Sequence, residues 1–412
     1  MYFFTNFYKN ASSPIFYDYL CSRNEKLIRN ISLHKSIPTM TKILFDIISI
    51  QGCINGGAEF TFRVLEELIK LKNIQVIGLY DSNLSFIERE FIYYQKNLHK
   101  VINIRDFKDI NSIIEQEHID SFFIGIAQRY SNYSLENIKC KTTITIHDIG
   151  DIESYDNKIS FIWKKEKRFY LKLFPKKDKK SPFDNYHTLI HFCEQSNVNI
   201  ITVSDYSKNS ILYYFPQLSS KNIAVLYPPM RNIPIKNNIE NEDLKKFLLT
   251  HKPYFLLLNI HRKDKNAKFV LDVFQRFLID EDFHLVTTGG GEKLFPQHIN
   301  LPLLSSSDLG NTYKHAYALI FPSLQEGFGY PPLEAMGYQV PVLSSNVCSM
   351  PSILSNSALM FSPFYKNDLF MKLKSLKDNY QDYKELAIIR YQAITQKQQS
   401  DFELLINMIT NI

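Results

Sequence analysis

The sequence predicts an α/β chain of two doubly wound parallel-sheet domains facing a central cleft. Three observations carry this. At 412 residues the chain is too long for one ordinary core. It holds nearly continuous apolar runs such as KILFDIISI, the mark of strands buried on both faces of a parallel sheet. These runs alternate with helix-like segments, which is the pattern of βαβ units.

The elements justify that reading in order. Residues 1–40 show no clean period and carry turn signals at NASSP and SIP, so they form an N-terminal extension packed on the first domain. Residues 41–230 make that domain. Its first strand, 42–50, leads at once into QGCINGGAEFTFRVLEEL, a glycine turn and an amphipathic helix with Phe60, Val64, Leu65 and Leu68 on its apolar face. IQVIGLY, SFFIGIA, TTITIHD, NIITVSD and IAVLYPP supply further strands. The polar stretch 231–252 reads as a linker with a short helix, and 253–395 repeats the alternation through YFLLLNI, FHLVTTG, ALIFPS and VPVLSS. An apolar-periodic helix at 401–410, within the closing segment 396–412, ends the chain.

Composition narrows the class. A hydrophobic content of 45% and a charged content of 22% fit soluble globular proteins and exclude disordered, collagen-like and repeat chains. Five scattered cysteines, odd in number and never in a CxxC pair, argue against a disulfide framework and a zinc site. No window of about 18 apolar residues exists, and MYFFTNFYKN lacks the features of a signal peptide, so a cytoplasmic location is expected. The net charge of +6 is concentrated: residues 161–180 hold nine Lys or Arg against Glu166 and Asp178, interleaved with Trp163, Phe169, Tyr170 and Phe174. Such a stretch suits an anionic membrane surface, at roughly 1 kcal/mol per basic residue, or is a solvated helix face. Nucleic acid is not the expected partner.

The densest signal is FPSLQEGFGYPPLEAMG, residues 321–337. A strand ends in a loop carrying Glu326, and Pro331 and Pro332 open a helix, where a missing N–H leaves nothing unsatisfied. Glu334 is then expected in the helix's first turn. Gly327, Phe328 and Gly329 leave backbone N–H groups uncovered beside the helix N-terminus, an arrangement that favours an anion such as a diphosphate. The turn at Asn55, Gly56 and Gly57 likewise opens a helix after a strand, allowing close backbone approach to a ligand or serving as a tight turn only. DED at 280–282 sits between a helix and a strand start, at the wrong end of the sheet for a metal site, and no other acidic or histidine cluster has metal spacing.

FPSLQEGFGYPPLEAMG followed by VPVLSSN resembles the signature of the retaining glycosyltransferases of family 4, the glycosyl transferases group 1. The resemblance extends through YFLLLNIHRKDKN and LSSSDLGNTYKHAYALIFPS, and through NGGAEFTFRVLEEL, TITIHD and NIITVSDYSKNSIL in the family's order. It implies a GT-B fold of two Rossmann-like domains, acceptor-binding at 41–230 and donor-binding at 253–395. It also implies a nucleotide-sugar donor, a glycan or lipid-linked glycan acceptor such as a growing lipopolysaccharide or capsule chain, and no metal or other cofactor. By the same resemblance Glu326 faces the reacting carbon, with His147 and Asp148 near donor and acceptor. Glu334 holds the ribose, Arg262 and Lys265 neutralise the diphosphate, and the turns at Gly56, Gly57 and Gly290 border the donor. A cationic pair suits that task, since it stabilises charge building on the leaving group. Asn259 and Gln339 stand where glycine is common in the family. A nucleotide-sugar epimerase and a non-catalytic scaffold subunit are the alternatives; no GxGxxG follows a strand, which disfavours a dinucleotide oxidoreductase.

Overall fold

The computed structural model describes residues 40–52, 55–85, 88–156, 182–231, 233–279 and 281–410. The basic stretch 161–180 and residues 1–39 of the expected extension lie outside them.

Two wholly parallel sheets form. The first joins β1 (Thr41–Asp46), β2 (Ile74–Tyr80), β3 (Lys100–Asn103), β4 (Ser121–Ile124), β5 (Lys141–Thr145), β6 (Val198–Thr202) and β7 (Ile223–Val225) in the order β3-β2-β1-β4-β5-β6-β7. The second joins β8 (Tyr254–Leu257), β9 (His284–Thr288), β10 (His298–Leu301), β11 (Ala318–Phe321), β12 (Val342–Ser345) and β13 (Leu359–Phe361) in the order β10-β9-β8-β11-β12-β13. Each repeats the 3-2-1-4-5-6 order of a doubly wound sheet, which places a ligand crevice where the order reverses, beyond the carboxyl ends of β1 and β4 and of β8 and β11.

The continuous apolar runs are explained by burial on both faces. Ile43, Leu44 and Phe45 of β1 are all fully buried. Leu44 packs with Phe122, Ile144 and Leu189 on one side. Ile43 and Phe45 pack with Phe60, Val64 and Leu65 of helix Gly56–Leu68 on the other. That second face is completed by Leu405, Ile406 and Ile409 from the far end of the chain. They belong to a single helix, Tyr380–Thr410, so the expected boundary at 396 falls inside a helix. Its earlier part runs past Gly337, whose position has room for no side chain because an added Cβ would lie 2.9 Å from the Tyr391 ring.

The crossing between the lobes occurs at residues 226–231. Leu226 N–H donates to Thr202 of the first sheet. Tyr227 N–H then donates to Asp401 (2.8 Å), Gln398 donates to the Pro228 carbonyl (2.6 Å), and the Tyr330 hydroxyl donates to the Pro229 carbonyl (3.1 Å). The later part of the 231–252 stretch is built into the second lobe. Helix Glu242–Leu248, capped by Asn241, buries Leu244 and Phe247 against Tyr254.

Among the described residues no helix is long and apolar enough to cross a membrane.

Candidate active site in the cleft

A cavity of about 1300 Å³ lies at the carboxyl ends of both sheets and is lined by every predicted site residue except Glu334 and Gly290. The loops that build it leave the strands where the sheet order reverses. β8 runs into Asn259, which adopts a left-handed conformation (φ 56°) and turns the chain so that Arg262, Asp264 and Lys265 follow at the cavity wall. The turn needs a positive φ, which glycine adopts freely and asparagine is among the other residues that tolerate. Gln339, at φ 60°, is the same case in the turn before β12.

Lys265 is 7% exposed. Its ammonium pairs with the Glu326 carboxylate, lies 3.5 Å from Asp264, and sits 5.3 Å from the Phe321 ring centroid. Arg262 is half exposed and pairs with Asp264 through Nε (3.1 Å) and Nη2 (2.8 Å). The Glu326 loop is braced from behind. Leu324 N–H donates to the Asp264 carbonyl (2.8 Å), and the buried Ser349 hydroxyl donates to the carbonyls of Glu326 (3.0 Å) and Phe328 (3.4 Å). Glu326 is thus a carboxylate held by a fixed cation on a fixed loop.

The first lobe meets this loop directly. The Ser204 hydroxyl donates to the Gly327 carbonyl (2.6 Å) and caps its own helix, Asp205–Tyr214. Ser154 donates to Gln325 (2.9 Å). A Cβ on Gly327 would lie 2.7 Å from the His147 carbonyl, so glycine is required there for the lobes to approach. Gly56 and Gly57 open helix Gly56–Leu68 behind the Asn55 cap, which accepts from Ala58 N–H (2.9 Å). Added Cβ atoms on them would meet the Tyr330 ring at 3.4 Å and Ile126 at 2.9 Å.

His147 Nε2 lies 3.0 Å from the Gly125 carbonyl, which can only accept, so Nε2 carries the proton. Burial lowers its pKa to about 4, partly offset by that hydrogen bond, and the ring is neutral near pH 7. Asp148 is pushed up to about 6, first by burial; the Gly150 N–H (3.1 Å) opposes this, and the charges of Glu326, Glu153 and Asp151 reinforce it. A neutral imidazole and a carboxyl poised near 6 therefore stand opposite Glu326.

Two expectations need correction. Helix Tyr330–Gly337 begins before the prolines, at the left-handed Gly329 (φ 89°), so Glu334 stands in its second turn. There Glu334 is buried, and its carboxylate accepts from Arg231 Nε (2.7 Å) and Nη2 and from the Tyr313 hydroxyl (2.7 Å) instead of lining the cavity. Gly290 belongs to a turn with φ 78° after β9, held by hydrogen bonds to Leu301, and is set back from the cavity. Sequence reasoning also missed Arg231, Tyr313, Ser204, Gln325 and Ser349; Tyr313, Ser204 and Gln325 lie within strings that carry the resemblance but nothing in their spacing singles them out, and Arg231 and Ser349 lie outside every such string.

Residues 238–393 match the family model described as glycosyl transferases group 1. The chain is 29% identical over 225 residues to the O-antigen chain mannosyltransferase RfbU of Salmonella typhimurium, covering 54% of this chain and 56% of that protein. It is 22% identical over 305 residues to the serotype-specific mannosyltransferase WbdA of Escherichia coli, covering 68% of this chain and 35% of that one. The chain spans about half the length of the first of these and a smaller share of the second. Among solved structures it is similar to Anabaena HepE in complex with UDP (TM-score 0.64, 10% identity, 90% of this chain and 100% of that one). It is also similar to the sucrose-phosphate synthase of Thermosynechococcus elongatus (TM-score 0.61, 12% identity, 89% and 97%). These likenesses establish the two-lobed GT-B fold.

Proposed function

We propose, from the premise that residues 238–393 are a glycosyl transferases group 1 domain, that this chain is a retaining glycosyltransferase. It moves a sugar from a nucleotide diphosphate sugar to a hydroxyl of a growing surface glycan. The observation that carries the reading is the Lys265–Glu326 pair on the cleft wall with Arg262 beside it, all on loops from the two strands where the sheet order reverses.

The chemistry follows from those groups. The bond between the sugar's anomeric carbon and the diphosphate breaks, and a bond from the acceptor oxygen forms on the same face. The acceptor's proton passes to the departing diphosphate. Lys265 and Arg262 meet the charge that builds there, a task fixed cations perform without reorganising, so we assign it to side chains and not to a metal. Glu326 stabilises the positive charge growing at the sugar carbon. Backbone N–H groups at Gly327 and Gly329 face the phosphate, and Glu334 sets the ribose end of the site from behind the cavity wall. The neutral His147 and the Asp148 carboxyl border the acceptor hydroxyl.

One relative is an O-antigen chain mannosyltransferase and the other a serotype-specific mannosyltransferase, which supports mannose as the sugar and a lipid-linked lipopolysaccharide-type glycan as the acceptor. The enzyme works on the cytoplasmic face of the membrane, held there by 161–180.

The test is a thermal-shift panel with UDP, GDP, ADP, dTDP and CMP. A ligand at 100 times its dissociation constant adds about 2.7 kcal/mol. Stabilisation of wild type by one nucleotide, lost in Arg262→Ala, supports the reading; no stabilisation of the folded protein by any of them contradicts it.

A further inference from the structure

We propose that Arg231, supplied by the segment that joins the lobes, is the counter-ion and positioning residue of Glu334, tying nucleotide recognition to the interlobe crossing. This rests on the donor-binding reading above and adds a residue that reading does not contain.

Glu334 is 3% exposed, and its side chain is nearly inaccessible. A carboxylate so placed needs a cation and hydrogen bonds, since burying an unpaired charge is strongly unfavourable. Arg231 and Tyr313 supply them. Both guanidinium donors converge on Oε1, while the Tyr313 hydroxyl donates to Oε2 at 2.7 Å. Burial, and then Glu334's charge, hold the Tyr313 phenol well above its ordinary pKa, so it remains a donor. Both oxygens of a carboxylate set behind the ribose end of the site are therefore held by two residues outside the 321–337 motif.

Arg231 differs from a purely structural counter-ion in three ways. Its side chain keeps 34% of its surface exposed while its partner keeps 1%, and it lines the cavity. Its guanidinium carbon lies 5.9 Å from the centroid of the Tyr330 ring, whose hydroxyl bonds the Pro229 carbonyl two residues before Arg231. It also follows a segment pinned residue by residue, by Asp401 at Tyr227 and by Gln398 at Pro228. A ligand at the ribose end of the cavity therefore meets Arg231, a group held by Glu334 and attached to the crossing between lobes, which gives the nucleotide a mechanical connection to the first lobe.

The test is a double-mutant cycle of wild type, Arg231→Met, Glu334→Gln and the double variant, read by melting temperature without ligand and by calorimetric titration with UDP and GDP. Arg231→Met is expected to melt several degrees below wild type, and adding Glu334→Gln to recover most of that loss, because an amide carries no charge to leave unpaired. Nucleotide affinity is expected to behave differently, falling about tenfold or more in Arg231→Met and staying low in the double variant despite its restored stability. A double variant no more stable than Arg231→Met overturns the counter-ion role. A stable double variant that binds nucleotide as tightly as wild type overturns the positioning role. If wild type itself binds neither nucleotide, the donor-binding reading falls and with it the positioning role, while the stability cycle still decides the counter-ion role.

Discussion

Asp148→Asn separates what this site needs for chemistry from what the fold would prefer. Asp148 titrates at about 6 in the folded protein against an ordinary 3.8, first because of burial. A carboxyl that is raised on folding burdens the fold above pH 6, where it is charged in both states, and ceases to do so below about pH 4, where it is neutral in both. At 1.36 kcal/mol per decade the gap corresponds to about 3 kcal/mol. The asparagine keeps the acceptor for Gly150 N–H and carries no charge to desolvate. Asp148→Asn should therefore be more stable than wild type by up to about 3 kcal/mol at pH 8, with the gain fading between pH 6 and 4. His147 supplies an internal control of opposite sign. Lowered to about 4 from 6.5, it withdraws stability as pH falls through that window, about 3 kcal/mol in all. The two contributions nearly cancel in wild type, and the variant exposes the histidine slope. Melting temperatures of both proteins from pH 4 to 8 measure this. An equal gain at both ends, or a loss at pH 8, would refute the desolvation reasoning.

Other outcomes follow from particular contacts. Gly327→Ala puts a methyl 2.7 Å from the His147 carbonyl and should lower kcat about 100-fold, to be measured in transfer assays, with little effect on the stability of either lobe. Gln339→Gly relieves a left-handed glutamine at an exposed turn and should raise stability by about 1 kcal/mol in chemical denaturation. Ile409→Ala, at the buried end of the long helix, should cost about 3 kcal/mol and weaken the first lobe's core, read by hydrogen exchange on β1.

The sheet centres were legible in the sequence because β1, β4, β8 and β11 are buried on both faces and read as apolar runs. The strands that went unrecognised are β3, β10 and β13, each at a sheet edge. They are short, and KVIN, HINL and LMF alternate with partly exposed positions, so neither length nor period announces them. In the site, Glu326, Arg262 and Lys265 were legible because glycines, prolines and charges directly after strands mark loops at the cleft. The setting of Glu334 was not. Its partners Arg231 and Tyr313 are 103 and 21 residues away in the chain, and only the fold brings them together. The departures at Asn259 and Gln339 were visible as residues, but their cause, a positive φ kept without glycine, is a property of the backbone.

The most direct test of the account is to incubate the protein with a panel of nucleotide sugars that includes GDP-mannose, together with a lipid-linked glycan acceptor. The product's anomeric configuration is then read by NMR. A new glycosidic bond with the donor's configuration retained is expected, formed by wild type and absent in Glu326→Gln and Lys265→Met. Donor consumed to an epimer without acceptor, or a product of inverted configuration, would contradict it.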